Sequence, residues 1–307
     1  MSKIIIANSA AYNSSAFSQE LTGYAAGYKV PELDAALDFI APPVPVPAKR
    51  FEFAQFGKGD YVIDADDERA VYGSFKIVHS SGKIVQAKLV HRGLTMVLDS
   101  DEISANYEQR AVERLKKRLV RNELARAASM LVKAAANSAK KWMASGSGKS
   151  TPDGDLMELV KSVADACGMH ANRILCGEQA WAYRYAAMVA SEAPGEGASA
   201  RLTPAELAQF LGIDELRVSK DRYEYTDTSD GSAKKGNIVS PSVVFAFNGH
   251  AGVDVDDPST FKRFHLGEGY STFVEDKGYT KNITVAHYSL IAQTGVGACK
   301  SITVSNS

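Results

Sequence analysis

Between residues 105 and 143 apolar or small side chains return every three or four positions: Leu115, Leu119, Leu124, Ala127, Ala128, Leu131, Ala135, Ser138 and Trp142. That is the helical period, and the Ala, Leu, Arg, Lys and Glu filling the segment are good helix formers. The pattern predicts one helix of roughly 35 residues, about 50 Å long. Alternation replaces this period on either side. Val71, Phe75 and Ile77, then Val85, Ala87 and Leu89, alternate with polar or small residues, and the turn-forming string SSGK separates the two runs. This predicts an extended β-hairpin within 53–98 whose arms reach roughly 25–35 Å. A lone two-stranded hairpin is marginal in water, so it needs support from its own domain or from another subunit. Residues 261–307 alternate again, with glycine turns between strands.

The period switches repeatedly between 151 and 260. Thr151-Pro152 opens a helix that Gly168 closes, and RILCG is a short apolar strand. EQAWAYRYAAMVASEA reads as a second helix. Thr203 and Glu206 stand in capping-box register around Pro204, with Gly212 ending that third helix. LRVSKDRYEYT and NIVSPSVVFAFN read as strands flanking the polar loop DTSDGSAKKG. Together these predict an α/β unit with a small sheet. Residues 1 to about 50 show little periodicity until FIAPPVPVPAKRFEF, where Pro42, Pro43, Pro45 and Pro47 enforce an extended backbone. The apolar residues around those prolines make an extended strap that needs a surface, on its own subunit or on a neighbour.

Composition narrows the function. At 45% hydrophobic and 23% charged residues with a net charge of −1, the chain is an ordinary globular sequence with no global attraction to polyanions. No run is long enough to cross a bilayer, and the apolar core of the first fifteen residues is too short for a secretory signal. The predicted long helix departs from this neutrality: ten basic residues oppose Glu108, Glu113 and Glu123 between positions 108 and 142. A basic face of that kind is either simply solvated or set near a polyanion or acidic neighbour.

Candidate chemistry is sparse. SGSGKST at 145–151 resembles the end of a phosphate-binding P-loop, but the first glycine of that motif is replaced by Met143, and the helical pattern occupies the place of its strand. It reads as a linker. Cys167, Cys176 and Cys299 form no C-x-x-C, and the six histidines show no ligand spacing on a helix. DADDE at 64–68 lacks the glycine of a calcium loop, and no G-x-S-x-G is present. No catalytic residue, cofactor site or metal site is expected.

The order of these elements resembles the major capsid protein of tailed bacteriophages. The resemblance covers nearly the whole chain and lies in RGLTMVLDSDEISANYEQRA, NRILCGEQAWAYRY, LTPAELAQFLGIDELRVSKDRYEY before VVFAFN, and STFVEDKGYTKNITV. It implies an α+β, HK97-type capsid fold: an N-terminal arm over 1–52, an extended loop over 53–98, a peripheral domain with a spine helix over 99–154 and 261–307, and an axial domain over 155–260. It further implies a structural, non-enzymatic protein that self-assembles into hexamers and pentamers of an icosahedral virion shell around double-stranded DNA. Such a shell is assembled in the bacterial host cytoplasm without a membrane. Any scaffolding, portal or decoration protein would be a separate chain, and contact with the packaged DNA weak and nonspecific. Contacts between subunits are expected at Pro42, Pro45 and Phe51 of the strap and at Phe75, Ile77, Lys83, Val85, Lys88 and Arg92 of the hairpin. An encapsulin-like nanocompartment enclosing protein cargo shares the implied fold and is the alternative.

Overall fold

Leu115, Leu119, Leu124 and Leu131 are buried along one helix, α3, Tyr107–Ala134, in the computed structural model of the chain. The residues described are 16–57, 82–99, 101, 106–143, 150–190, 200–226, 232–250 and 259–306. Two helices precede α3, α1 (Gln19–Gly27) and α2 (Pro31–Ile40), in a segment whose sequence shows no such period. The helix α3 does not run to residue 143 as its composition predicts. It ends at Ala134, and Ala136–Lys141 forms a strand, β5. The reason is tertiary. The carbonyl oxygen of the Asn137 side chain accepts from the hydroxyls of Ser301 and Thr303, and the backbone pairs in parallel with residues 300–305. A sheet ladder overrides the helical propensity of an alanine-rich string.

Two sheets share α3. The first has the order β1-β11-β12-β4, from Pro43–Val46, Phe261–Asp276, Thr280–Gln293 and Val90–Asp99. On one face of it Ile283 and Val285 pack with Leu21 and Ala25 of α1 and Ala111, Val112, Leu115 and Leu119 of α3. The second has the order β5-β13-β10-β6-β7, where β13 is Cys299–Ser305, β10 Val243–Phe247, β6 Arg173–Gly177 and β7 Glu215–Ser219. One of its faces is covered by α4 (Pro152–Cys167), α5 (Glu178–Val189) and α6 (Pro204–Leu211), through Leu156, Leu159, Val163, Ala187 and Leu207. The other face, with Leu175, Phe245 and Phe247, packs on Leu37 and Phe39 of α2 and Leu124 and Leu131 of α3. Each such side chain contributes about 1.5–3 kcal/mol when fully buried, so α3 is the common wall of two cores. Strand β13, expected with the other closing strands of 261–307, joins the second sheet, where Cys299 packs in the core that α3 shares.

The local signals in this half hold. Pro152 opens α4 and Gly168 closes it at a positive φ of 83°. Thr203 and Glu206 form the reciprocal capping box of α6, and Gly212 ends it. Gly177, at the β6–α5 junction, meets a close approach: an added Cβ would lie 2.3 Å from the carbonyl oxygen of Pro241. The run LRVSKDRYEYT divides into β7 and β8 (Arg222–Thr226). The end of the expected polar loop is itself a strand, β9 (Ala233–Asn237), paired with β8.

Candidate functional site

The strap folds onto its own subunit. Strand β1 runs parallel to β11, from Pro43 opposite Arg263 to Val46 opposite Leu266. Val44 and Val46 are buried, as is Pro42, whose carbonyl accepts from the Arg263 amide at 2.9 Å. Since the Pro42 carbonyl faces β11, strand alternation sends the backbone of Pro43 and Pro45 to the outer edge. A proline there offers no N–H to another strand. Pro45 is exposed, so any neighbour would meet its ring and not a ladder.

The base of the hairpin is built differently from its sequence reading. Strand β3 (Lys83–Lys88) pairs antiparallel with β2 (Arg50–Gln55), with Val85 opposite Phe53 and Lys83 opposite Gln55. The expected partner run, with Phe75 and Ile77, lies outside the described residues. Phe51 and Phe53 hold the β2–β3 pair to the body by packing on Phe264, at ring-centroid distances of 4.7 and 5.2 Å. Val85 is half-buried on that side, whereas Lys83, Lys88 and Ile84 are exposed, Ile84 to 68%. The hairpin was expected to include Arg92, but β4 belongs to the first sheet and Arg92 sits opposite His287 of β12. Of the residues singled out in the sequence, Pro45, Lys83 and Lys88 therefore present exposed surface, while Pro42, Phe51 and Val85 contribute to their own subunit's core. Ile84 had no sequence signal beyond its place in the alternation.

A charged joint ties strap, helix and sheet together. The Arg263 guanidinium reaches Asp38 of α2 at 2.9 Å and Glu123 of α3 at 3.2 Å. Glu123 is 1% exposed and also lies 3.7 Å from Arg126 and 3.8 Å from His287, whose ring stacks on Tyr270. Burial disfavours the Glu123 carboxylate, but His287, Arg263, the Ser289 hydroxyl and Arg126 together outweigh it and hold the carboxyl below its usual range. Burial among Arg126, Arg263 and Arg92 pushes the His287 imidazole down to about 4 from 6.5, against the pull of Glu123. A histidine held neutral in the fold but free to protonate when unfolded stabilises fully above about pH 6.5 and loses that stability as pH falls toward 4. The shift corresponds to about 3 kcal/mol. His265 and His91, also lowered by burial, act in the same direction. Thermal stability is expected to fall between pH 6.5 and 4, and His287→Gln to flatten that slope. Melting curves of both proteins across this range check it, and an unchanged slope would refute the assignment to His287.

The sites suggested by other motifs gain little. SGSGKST is preceded by strand β5 rather than a helix, so the structural objection to a P-loop is corrected. Residues 144–149 lie outside the described set, and Met143 still replaces the first glycine. The helix begins only at Pro152, which has no N–H to offer a phosphate. The thiols of Cys176 and Cys299 are buried and pushed up to about 12, so neither is a thiolate nucleophile at neutral pH.

No protein-family model matches the chain and no curated protein matches it by sequence. Solved structures do match along nearly its full length. A phage-related protein from Bordetella bronchiseptica RB50 is 17% identical with a TM-score of 0.67, covering 94% of this chain and 97% of that one. A protein assigned as the capsid protein of a prophage in Escherichia coli CFT073 is 11% identical with a TM-score of 0.51, covering 94% and 99%. A virus-like particle from Pyrococcus furiosus is 10% identical with a TM-score of 0.51, covering 93% and 98%. The chain thus shares its fold with these structures along nearly its full length, and the fold of this protein is the HK97-type capsid fold.

Proposed function

We propose that the chain is the major capsid protein of a tailed bacteriophage, a structural subunit that assembles with copies of itself into hexamers and pentamers of an icosahedral shell around double-stranded DNA. The observation that carries this reading is the full-length match to shell-protein folds, including one described as a virus-like particle and one as a capsid protein. The geometry is consistent with it. A closed shell needs heterologous contacts that repeat around rings. A β2–β3 pair anchored by Phe51 and Phe53, with Ile84 and Lys88 on its outer face and Lys83 exposed at its end, offers a neighbour such a contact. Pro45 of the strap is exposed as well. The body around the first sheet would be the peripheral domain, and most of the second sheet with α4–α6 the axial domain. Assembly would take place in the host cytoplasm before the shell becomes part of the virion.

Expression of the full chain tests this directly. The expected result is multi-megadalton closed particles, seen by sedimentation and electron microscopy, alone or with a co-expressed scaffolding protein. A strict monomer at high concentration under both conditions would overturn the proposal. Nuclease digestion and mass spectrometry of purified particles separate the two shell types: DNA within supports the phage head, and a defined protein cargo would replace it with a nanocompartment.

A further inference from the structure

Five cations share one face of the first half of α3: Arg110, Arg114, Lys117, Arg118 and Arg121, all exposed. At 3.6 residues per turn they fall within an arc of about 100°. The opposite face carries the buried Val112, Leu115, Leu119 and Glu123. The acids of the same helix are committed elsewhere. Glu108 binds Lys281, Glu113 accepts from the Tyr24 hydroxyl, and Glu123 is buried with Arg263. Among the described residues Lys117 lies over the Tyr28 ring at 5.8 Å, and Asp221 stands within electrostatic reach of Arg121. None of the five stripe residues forms an ion pair with another described residue. Like charges three and four residues apart repel and weaken a helix, so an unbalanced stripe is an arrangement that an external anion would relieve.

We propose that this stripe docks the phosphodiester backbone of duplex nucleic acid, so that the outer face of α3 is the inner face of the shell. The shell reading supplies the biological setting; the binding itself rests on the stripe alone. From Arg110 to Arg121 the helix rises about 16 Å, so the stripe presents its cations along a length comparable to about five base pairs of duplex axis at 3.4 Å each. Four of the five are arginine, whose planar guanidinium suits phosphate oxygens. Attraction of this kind carries no sequence preference and weakens steeply with salt. It permits a packed genome to slide over the surface while neutralising part of its charge.

The test is fluorescence anisotropy of a 20-base-pair duplex with full-length protein dispersed as subunits or capsomers, between about 50 and 200 mM salt. With each of the five cations neutralising one phosphate, the expected plot of log affinity against log salt has a slope of about −4.5. The variant R114Q/K117Q/R118Q is expected to make that slope shallower by about 2.7. A control of equal charge change at exposed lysines elsewhere, K141Q/K161Q/K235Q, is expected to leave it unchanged. Equal slopes for the two variants would overturn the proposal. So would displacement of the duplex by poly-glutamate at equal charge, which would reassign the stripe to an acidic protein segment. Electron microscopy of the same proteins keeps the two readings apart. Shells without stripe-dependent binding refute the docking surface alone, and stripe-dependent binding by a protein that never forms shells supports the surface while refuting the capsid.

Discussion

Replacing Arg263 by methionine is expected to destabilise the fold by about 3–5 kcal/mol. The Arg263 side chain touches α2 through Asp38 and α3 through Glu123, and its backbone amide holds the strap at Pro42. Asp38 is 45% exposed and can return to water when its partner is lost, but Glu123 is 1% exposed and cannot. Only Arg126, at 3.7 Å, would then stand near the Glu123 carboxylate as a permanent charge, and its Nη2 is buried without a hydrogen-bond partner among the described residues. Removing one member of a buried pair costs more than removing both, because an uncompensated charge is left behind. The double variant R263M/E123L is therefore expected to be more stable than R263M alone. Urea unfolding of the three proteins checks both statements. A loss under 1 kcal/mol for R263M, or a double variant less stable than the single, would show that the joint does not hold α3 to the sheet.

The second large effect concerns assembly. Deleting residues 58–81 joins Gly57 to Gly82 and leaves Phe56, Gly57 and Gly82 as a three-residue loop between the paired Gln55 and Lys83. A short loop with glycine suits an antiparallel pair, so the anchored β2–β3 hairpin is expected to survive and the subunit to fold with nearly the parent melting temperature. Closed shells are expected to disappear, leaving subunits or open capsomers, because the excised segment is read as the reach of the finger onto a neighbour. Normal shells from the deleted chain would remove that role. The boundary matters: a cut extended to Arg92 would take Val90, His91 and Arg92 out of β4, breaking the first sheet and confusing misfolding with failed assembly.

Much of this architecture was legible because its signals are local. The leucine stripe of α3, the cap of α6 and the glycine that ends α4 need only neighbouring residues to act. What was not legible depends on partners distant in sequence. Residues 136–141 look helical until β13 is beside them, and β3 has its described partner in β2 across more than twenty intervening residues. Trp142 fell on the helical stripe by spacing. It is instead buried in the core of the second sheet, with its indole N–H on Asp155. In the candidate site, Lys83 and Lys88, expected to contact a neighbouring subunit, are exposed in the single chain. Glu123 and Arg263 carry no motif: their importance comes from burial, which residue type alone does not reveal.

The seam between the two sheets bears on how such a body carries load. The chain crosses from the first half to the second twice, from α3 into β5 and from β12 into β13, and the two entering strands lie side by side in the same direction. With the return of the chain from β10 to β11, three covalent connections join the halves, and tension that draws them apart is divided among them. It drags β13 lengthwise along β10, loading the pairs from Val243–Thr303 to Phe247–Cys299 together instead of opening them one at a time. A body laced in this way resists stretching in its own plane.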